Sequence, residues 1–334
     1  MIAPEHVVLS RTDSIGDVVL TLPLAGLLKA KFPEVRITFI GRHYTRPVLK
    51  HCTHVDQVLT LEELEAGDAV QLLRDLRADA LVHVFPHREI ARWAKAAGIP
   101  VRIGTSHRLW HWSTCTDRPA FSRKRSDLHE SQLNVKLLGP LGITAEPALV
   151  QLLDAMGLHP PEPDQLVAAL LRHDRIRVIL HPGSQGSSVE WGLPRFRELI
   201  DKLDPTRYHV YLTGTAAEAE HYRQELPISA SHVTNTGGQL DLDQLQMLIG
   251  SCHALVAAST GPLHLAGVYG KRAIGLFSPR RPIHPGRWAP LGRDVHVLVH
   301  DPECPICAAG KACTCVQQIT PERVMALLNG LPRR

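Results

Sequence analysis

The chain has 334 residues, of which 44% are hydrophobic and 21% charged, and its formal net charge is +4. This length and composition are typical of a globular protein with two domains, and so small a positive excess does not indicate nucleic-acid binding. No apolar run reaches the roughly 18 residues of a membrane-spanning helix, and the N-terminus lacks the regions of a signal peptide. We therefore expect a cytoplasmic protein with no nucleic-acid partner.

The first half of the chain alternates strands and helices. An apolar run from Val7 leads through a short polar loop into helical spacing at Val18, Leu22, Ala25 and Leu28. Further strands are predicted at 35–40, 55–59, 80–85 and 101–104, with helices at 62–77, 90–97 and 131–138. Strands that alternate with helices predict a parallel sheet with right-handed crossovers.

The second half repeats this alternation after a proline- and glycine-rich segment, Gly157 to Pro163, that predicts a linker. The predicted strands are 177–181, 208–213, 254–258 and 273–277, and the predicted helices are 164–172, 194–203, 216–226, 241–249, 263–267 and 321–328. Two doubly wound halves joined by a linker predict a cleft between domains, where a small-molecule site is expected.

Asp17 lies in the first turn of the helix that follows the first strand. Ligands of open α/β sheets bind beyond the carboxyl ends of the strands, so we expect this carboxylate to face the ligand crevice. A purely structural interpretation also fits, because the helix macrodipole favours an acid there by about 0.3–1 kcal/mol. The loop matches neither the dinucleotide-binding glycine pattern nor the P-loop pattern.

Two loops of the second half are candidates for phosphate binding. His181 to Ser188 combines glycines, which allow close backbone approach, with hydroxyl groups that can donate hydrogen bonds. Ser259 to His264 places a hydroxyl, a glycine and a histidine at a helix N-terminus. Each also fits an ordinary strand-to-helix connection, and His264 also fits a packed helix residue. Together the two loops predict a diphosphate bound by the C-terminal domain.

Two further segments have distinctive compositions. The segment 108–125 is basic, with Trp110 and Trp112 interleaved, which suits an anionic or sugar ligand, a membrane surface or a solvated loop. Near the C-terminus, two closely spaced cysteine pairs leave a structural metal and free or paired thiols both open. These cysteines are Cys304, Cys307, Cys313 and Cys315.

These motifs resemble glycosyltransferase family 9, the bacterial ADP-heptose lipopolysaccharide heptosyltransferases. The resemblance runs nearly from end to end of the chain, through residues 11–18, 22–23, 128–130, 181–184, 191–194, 213–214, 260–266 and 275–277. It implies a GT-B fold, in which two Rossmann-like α/β domains face each other across a cleft. The acceptor would bind residues 1–155, the nucleotide-sugar would bind residues 165–315, and the final helix, within 316–334, would pack back on the N-terminal domain.

The resemblance also implies an inverting, metal-independent transfer of a heptose or related sugar, from ADP-heptose, to a lipopolysaccharide core or other envelope glycan. Asp17 would be the general base that accepts the proton of the acceptor hydroxyl. The donor would contact Ser184, Gln185, Glu218, Leu240, Ser259, Thr260, Gly261 and His264. The acceptor would contact Arg11, Asp13, Ser14, Gly16, Arg108 and Arg123.

No cofactor would be needed for catalysis, and the C-terminal cysteines would hold a structural zinc if they hold a metal. The family's acceptors are lipid-linked, which implies peripheral contact with the inner face of the inner membrane.

Two departures from the family's pattern lie in the expected donor site. Ser259 stands where an aspartate is usual, and no lysine precedes Trp191, where the chain has Ser188, Val189 and Glu190. A missing lysine beside a diphosphate removes a charge-assisted contact of roughly 1.5–3 kcal/mol. The candidate replacements, by sequence proximity, are Lys271, Arg280 and Arg281.

These departures leave two alternatives to a transferase. One is a non-catalytic nucleotide- or glycan-binding protein on the same fold. The other is a nucleotide-sugar epimerase, whose acids in the C-terminal domain would be Glu190 and Glu218.

Overall fold

The computed structural model describes residues 3–332, and the chain divides into two compact units, Met1–His159 and Pro160–Arg334. The division falls inside the proline- and glycine-rich segment that predicts a linker. Among the described residues, no helix is long and apolar enough to cross a membrane.

The first unit is built on a five-stranded sheet with the order β3-β2-β1-β4-β5, all pairs parallel. The strands are β1 (His6–Ser10), β2 (Arg36–Gly41), β3 (Gln57–Thr60), β4 (Ala80–His83) and β5 (Val101–Ile103). The helices are α1 (Ile15–Val19), α2 (Pro23–Lys31), α3 (Arg46–Leu49), α4 (Leu61–Ala66), α5 (Ala69–Asp75), α6 (Arg88–Ala96), α7 (His111–Thr114), α8 (Glu130–Val135) and α9 (Leu149–Asp154), with 3₁₀ turns at His43–Thr45 and Lys136–Leu141.

The second unit has a six-stranded sheet with the order β11-β10-β9-β6-β7-β8, again parallel throughout. The strands are β6 (Ile176–His181), β7 (Tyr208–Leu212), β8 (Val233–Asn235), β9 (Ala254–Ala258), β10 (Arg272–Leu276) and β11 (Val295–Leu298). The helices are α10 (Gln165–Leu170), α11 (Leu193–Lys202), α12 (Ala216–Tyr222), α13 (Leu242–Ser251), α14 (Gly261–Val268), α15 (Pro285–Trp288), α16 (Pro305–Ala308) and α17 (Pro321–Asn329), with a 3₁₀ turn at Val316–Gln318.

Both sheets have the Rossmann strand order, in which the direction of winding reverses beside the first strand. In the first unit the reversal lies between β1 and β4, where Ser10 is opposite His83, the last residue of β4. In the second unit it lies between β6 and β9, where His181 is opposite Ala257. Ligands of such sheets bind at the carboxyl ends of these strands. The loops after β1, β6 and β9 are those in which the sequence predicts the site.

Local sequence explains where many helices begin. The side chains of Thr60, Asp164 and Asp241 each accept a backbone N–H three residues on, which caps α4, α10 and α13. The predicted helix 62–77 is two helices, because Asp68 caps a new start directly after Gly67. The helix after β1 is also two helices, and Pro23 occupies a first-turn position of the second.

The final helix, α17, is tied to the second unit. Val324 and Leu328 are fully buried in the core cluster of the second unit. Tyr208 Oη donates to Asn329 Oδ1 at 2.9 Å and ties the end of the helix to the start of β7. The apolar face of α17 is therefore buried against α11 and its neighbours. Packing of this helix on the N-terminal domain stays a prediction.

Candidate functional site

The first candidate site begins with Arg11, which directly follows β1 and is almost fully buried. Its Nε donates to Asp13 Oδ1 at 2.7 Å, and another guanidinium nitrogen donates to Asp17 Oδ1. The Ser14 hydroxyl donates to the other oxygen of Asp17. One short loop therefore holds the Asp17 carboxylate in a fixed orientation at the carboxyl end of the sheet.

A second carboxylate completes this network from a distant part of the chain. Glu130, at the start of α8, has a 1% exposed side chain, and its Oε1 accepts from Arg11 Nη1 at 3.2 Å. The same oxygen accepts from Arg123. Two guanidinium groups thus share one buried carboxylate, and this sharing connects the segment 108–125 to the loop after β1.

Burial and neighbouring charges of the opposite sign shift the pKa values of Asp13 and Arg11 in opposite directions. Burial raises the pKa of Asp13 to about 6, against the lowering effect of Arg11, and the neighbouring Asp17 charge raises it further. Burial opposes the charge of Arg11, but Asp13, Asp17 and Glu130 together raise the pKa of its guanidinium. Arg11 is therefore a permanent cation among three carboxylates, and Asp13 is the group here whose charge responds to mildly acidic pH.

Of the remaining predicted acceptor residues, some lie in the Arg11 network and some do not. Arg123 and Ser14 lie in the Arg11 network, and Gly16 is a buried residue of α1. Arg108 is exposed and lies over the Trp110 ring, 5.7 Å from its centroid. Among residues 3–332, the hydrogen bonds of the Arg11 network do not include Arg108.

Trp110, but not Arg108, lines a basic pocket of about 510 Å³ formed by residues of α6 and of the segment that contains α7. Its lining includes Arg88, Arg92, Lys95 and Trp110. The helix spacing of the three cations places them on one face of α6.

The second candidate site begins in the loop after β6. The backbone N–H and the hydroxyl of Ser184 both donate to Glu190 Oε1, each at 2.8 Å. Gln185 and Gly186 both have positive φ, 48° and 77°, so the chain turns sharply between these partners. Glycine suits this backbone, whereas Gln185 adopts it at some conformational cost. The two groups that we expected to bind phosphate are thus occupied by a carboxylate of the same loop.

Glu218 lies beside this loop. Its Oε2 caps α12, accepting from the backbone N–H of Thr215 at 2.8 Å and from the Thr215 hydroxyl at 3.0 Å. Its Oε1 is buried without a hydrogen-bond partner among residues 3–332. A Cβ at Gly183 would lie 2.1 Å from that oxygen, so only glycine permits this approach.

These residues border a pocket of about 400 Å³ in the second unit. It contains two of the predicted donor residues, Gln185 and Glu218, together with Glu190. Pro182 and Gly183 of the predicted phosphate loop also line it, and sequence reasoning gave no ligand role to the other lining residues, which are Leu193, Thr215, Ala217, His221 and Tyr222. Two carboxylates line the pocket, and none of its lining residues within 3–332 is a lysine or an arginine.

The loop after β9 provides further polar groups at the N-terminus of α14. Thr260 is buried, and its hydroxyl has no hydrogen-bond partner in the part of the chain that the structure describes. Gly261 is the first residue of α14, His264 is buried in its first turn, and Ser259 is half-buried. These residues do not line the 400 Å³ pocket. Leu240, half-buried before α13, does not line it either.

The C-terminal cysteines meet in one cluster of the second unit. The four sulfur atoms lie within 4.8 Å of one another, with 3.6 Å between Cys304 and Cys313 and 3.1 Å between Cys313 and Cys315. The backbone N–H of Cys307 is the main cause that lowers the pKa of the Cys304 thiol to about 7. All seven cysteines of the chain, each within the described residues, are free thiols.

Two Rossmann-like domains with parallel sheets are the architecture of the GT-B fold. The profile described as "Glycosyltransferase family 9 (heptosyltransferase)" matches residues 153–315. Lipopolysaccharide heptosyltransferase 2 of Escherichia coli is 24% identical over 352 residues, covering 95% of each chain. The chain is therefore similar to glycosyltransferase family 9 over the second unit by the profile, and over nearly its whole length by this relative.

Solved structures agree with the fold. A family 9 glycosyltransferase from Veillonella parvula superposes with a TM-score of 0.77 at 18% identity, covering 98% of each chain. The E. coli ADP-heptose lipopolysaccharide heptosyltransferase II gives a TM-score of 0.74 at 20% identity, covering 97% of each chain. The predicted fold class is thereby confirmed.

Three residues of these sites were missing from the sequence prediction. Glu130 belonged to a quoted motif, but nothing local indicated that it meets Arg11. Glu190 was named only as an acid of the epimerase alternative and as a residue near the position of an expected lysine, and its bond to Ser184 was not foreseen. The Tyr44 hydroxyl donates to the backbone oxygen of Asp13 at 2.6 Å, a contact across 31 residues that no local pattern signals.

Proposed function

We propose that the protein is an inverting glycosyltransferase that transfers a heptose from ADP-heptose to a lipopolysaccharide core acceptor. The match of residues 153–315 to the family 9 profile supports sugar transfer, and the relative's name supports heptose and lipopolysaccharide. The donor ADP-heptose is carried over from the neighbour of that name. The observation that carries the proposal is the oriented Asp17 carboxylate, held by Arg11 and Ser14 at a ligand-binding edge of the first sheet.

In this mechanism the acceptor binds the first unit and Asp17 is the general base. Each oxygen of its carboxylate uses one hydrogen bond in the network, which leaves lone pairs for an acceptor hydroxyl. As the proton passes to Asp17, the acceptor oxygen forms a bond to the anomeric carbon, and the bond from that carbon to the phosphate oxygen breaks on the opposite face. The electron pair leaves with the nucleoside diphosphate, and the sugar is inverted.

The second unit would bind the donor. The nucleoside would occupy the 400 Å³ pocket, where the unpartnered Glu218 Oε1 can accept from a ribose hydroxyl. The unpartnered Thr260 hydroxyl and the N-terminus of α14 would stabilise the departing diphosphate, with no metal required. Buried polar atoms without partners are uncommon, so these two atoms favour a ligand at this edge of the sheet.

The test combines nucleotide binding with transfer. Calorimetry with ADP, UDP and GDP, with and without magnesium, should show metal-independent binding with a preference for ADP. Asp17→Asn should retain ADP binding and lower the rate of heptose transfer by about 10²–10⁴-fold. Asp75→Asn, an exposed acid of α5, is the matched control and should leave both unchanged.

Other outcomes would redirect the proposal. Preference for UDP or GDP would change the donor, and no nucleotide binding at all would favour a non-catalytic protein. Conversion of a nucleotide-sugar without acceptor, retained in Asp17→Asn, would favour the epimerase. Normal transfer by Asp17→Asn would remove Asp17 from the mechanism.

We also propose that the four clustered cysteines bind a structural zinc. In a tetrahedral site with zinc–sulfur bonds of about 2.3 Å, sulfur atoms lie about 3.8 Å apart, close to the separations in the cluster. Purified protein should contain one zinc per chain by elemental analysis, and Cys304→Ser with Cys307→Ser should lose it. Cys252→Ser, a buried thiol outside the cluster, should keep it. A metal-free protein with four titratable thiols in the cluster would contradict this proposal.

A lipid-linked acceptor requires an approach to a membrane, and we propose that the segment around α7 makes that contact. Leu109 is 88% exposed and Trp112 is 62% exposed, beside the basic pocket of α6. Apolar side chains flanked by cations suit an anionic bilayer surface. Leu109→Ser with Trp112→Ser should weaken sedimentation with phosphatidylglycerol vesicles, and Leu149→Ser, at another exposed leucine, should not. Equal binding of all three proteins would contradict this surface.

A further inference from the structure

We propose that the Glu190 carboxylate occupies, in the nucleotide-free protein, the position of a donor phosphate oxygen, so that the donor must displace it. Glu190 is then an internal competitor that sets the affinity for the nucleotide-sugar. The inference rests on the proposed function, in which the second unit binds the donor, and it adds the loop after β6 to the groups that contact the donor's diphosphate.

The first argument is the identity of the donors that Glu190 engages. A single oxygen, Oε1, accepts both the backbone N–H and the hydroxyl of Ser184, at 2.8 Å each. Ser184 is only 6% exposed, so these two donors converge in a sheltered place at the carboxyl end of β6. A backbone N–H and a hydroxyl that converge on one oxygen form an anion site, which suits a phosphate oxygen as well as a carboxylate.

The second argument is that the side chain can leave while its backbone stays. The Glu190 carbonyl accepts from Gln317 Nε2 at 3.2 Å, and the Trp191 indole N–H donates to the Ile319 carbonyl at 2.7 Å. Trp191 is 1% exposed, whereas Glu190 is exposed. The backbone is therefore anchored to the segment before α17, and rotation of the Glu190 side chain alone would free the Ser184 backbone N–H. The Ser184 hydroxyl, which also lies 3.1 Å from the Ser188 carbonyl, would then be able to turn its proton to a phosphate.

The third argument is electrostatic. Glu190 and Glu218 both line the 400 Å³ pocket, where the lining residues within 3–332 include no lysine or arginine to offset them. A diphosphate that enters beside two carboxylates is repelled by both. When the Glu190 side chain turns outward, one of these charges moves into solvent and the two donors of Ser184 become available to the phosphate. Displacement therefore lowers repulsion and forms the new hydrogen bonds in the same step.

The experiment compares binding of ADP and of inorganic pyrophosphate to the full chain and its Glu190 variants by calorimetry. Glu190→Gln should bind both ligands about fivefold to twentyfold more tightly, since it removes a charge-assisted contact at a partly exposed site. Glu190→Asp keeps the charge but shortens the side chain by one methylene, so it should also bind more tightly. Glu220→Gln, an exposed acid of α12 outside the pocket lining, makes the same charge change and should stay within about twofold of the parent.

The outcomes separate this inference from the proposed function. Parent-like or weaker ADP and pyrophosphate binding by Glu190→Gln, with an unchanged melting temperature, would overturn it. If Glu190→Gln but not Glu190→Asp bound the ligands more tightly, the Glu190 carboxylate would not occupy the phosphate position. Charge repulsion alone would then explain the effect of Glu190→Gln. If no protein bound any nucleotide, the proposed function would fail, while a gain of pyrophosphate binding in Glu190→Gln would still support the inference.

Discussion

Glu130→Gln tests whether the buried network of the first unit holds the loop after β1 in place. Glutamine preserves the size of the side chain and removes the charge that Arg11 and Arg123 share. Removing one partner of a buried ion pair typically costs 3–5 kcal/mol, and a hydrogen bond to a charged group contributes about 1.5–3 kcal/mol. Because Arg11 keeps Asp13 and Asp17, we expect a loss of about 2–3 kcal/mol in the free energy of unfolding.

Urea denaturation followed by circular dichroism measures this loss. In a thermal scan it should appear as a fall of about 4–12 °C in the transition of the first unit. The control is Glu146→Gln, which removes a carboxylate that pairs with Lys136 at 3.1 Å on the surface, with 49% and 36% of the two side chains exposed. That pair should contribute less than about 1 kcal/mol. If Glu130→Gln were no more destabilising than Glu146→Gln, the network would not be what orders this loop.

Three more predictions concern single groups. Burial raises the pKa of Asp13 to about 6 in the folded protein, from its ordinary value of 3.8. The native protein therefore binds more protons than the unfolded chain between these values, so stability should fall by roughly 1–3 kcal/mol as pH rises from about 4 to 6. Asp13→Asn should flatten that part of a stability-against-pH curve, and an unaltered slope would contradict the assignment. Thr260→Val removes a buried hydroxyl that has no partner among the described residues, so the melting temperature of the free protein should not fall. The affinity of the same variant for ADP should drop by about tenfold. An affinity equal to that of the parent would place the diphosphate elsewhere. Trp191→Phe leaves the Ile319 carbonyl unpaired and should lower the free energy of unfolding of the second unit by about 1–3 kcal/mol, measured in urea. The control, Trp112→Phe at an exposed site, should have a smaller effect. Equal effects would argue against the hydrogen bond from Trp191 to Ile319.

Local sequence determined most of the secondary structure. Apolar runs flanked by glycine or a cap residue became strands and helices at the expected places, as in β6, β9 and α13. Errors came where a cap or proline inside a long apolar pattern restarted a helix, as at Asp68 and Pro23. The short strands β8 and β11 were missed, although β3, β4 and β5, which are no longer, were predicted.

The sequence also located the loops of the candidate sites. Parallel strands bring their carboxyl ends to one edge, so loops after β1, β6 and β9 could be identified before any contact was known. The spacing of the cysteines likewise indicated one cluster, because short loops bring such pairs together.

Only the tertiary structure decided which side chains meet within those loops and around them. Arg11 and Glu130 are 119 residues apart, and Trp191 and Ile319 are 128 residues apart. Even the bond from Ser184 to Glu190, six residues away, depends on two successive positive φ angles that the composition of the loop permits but does not dictate. The periodicity of apolar residues indicates how much of an element is buried. The residues that the element contacts depend instead on how distant elements pack. For that reason the pattern of α17 predicted a helix but not the surface that covers it.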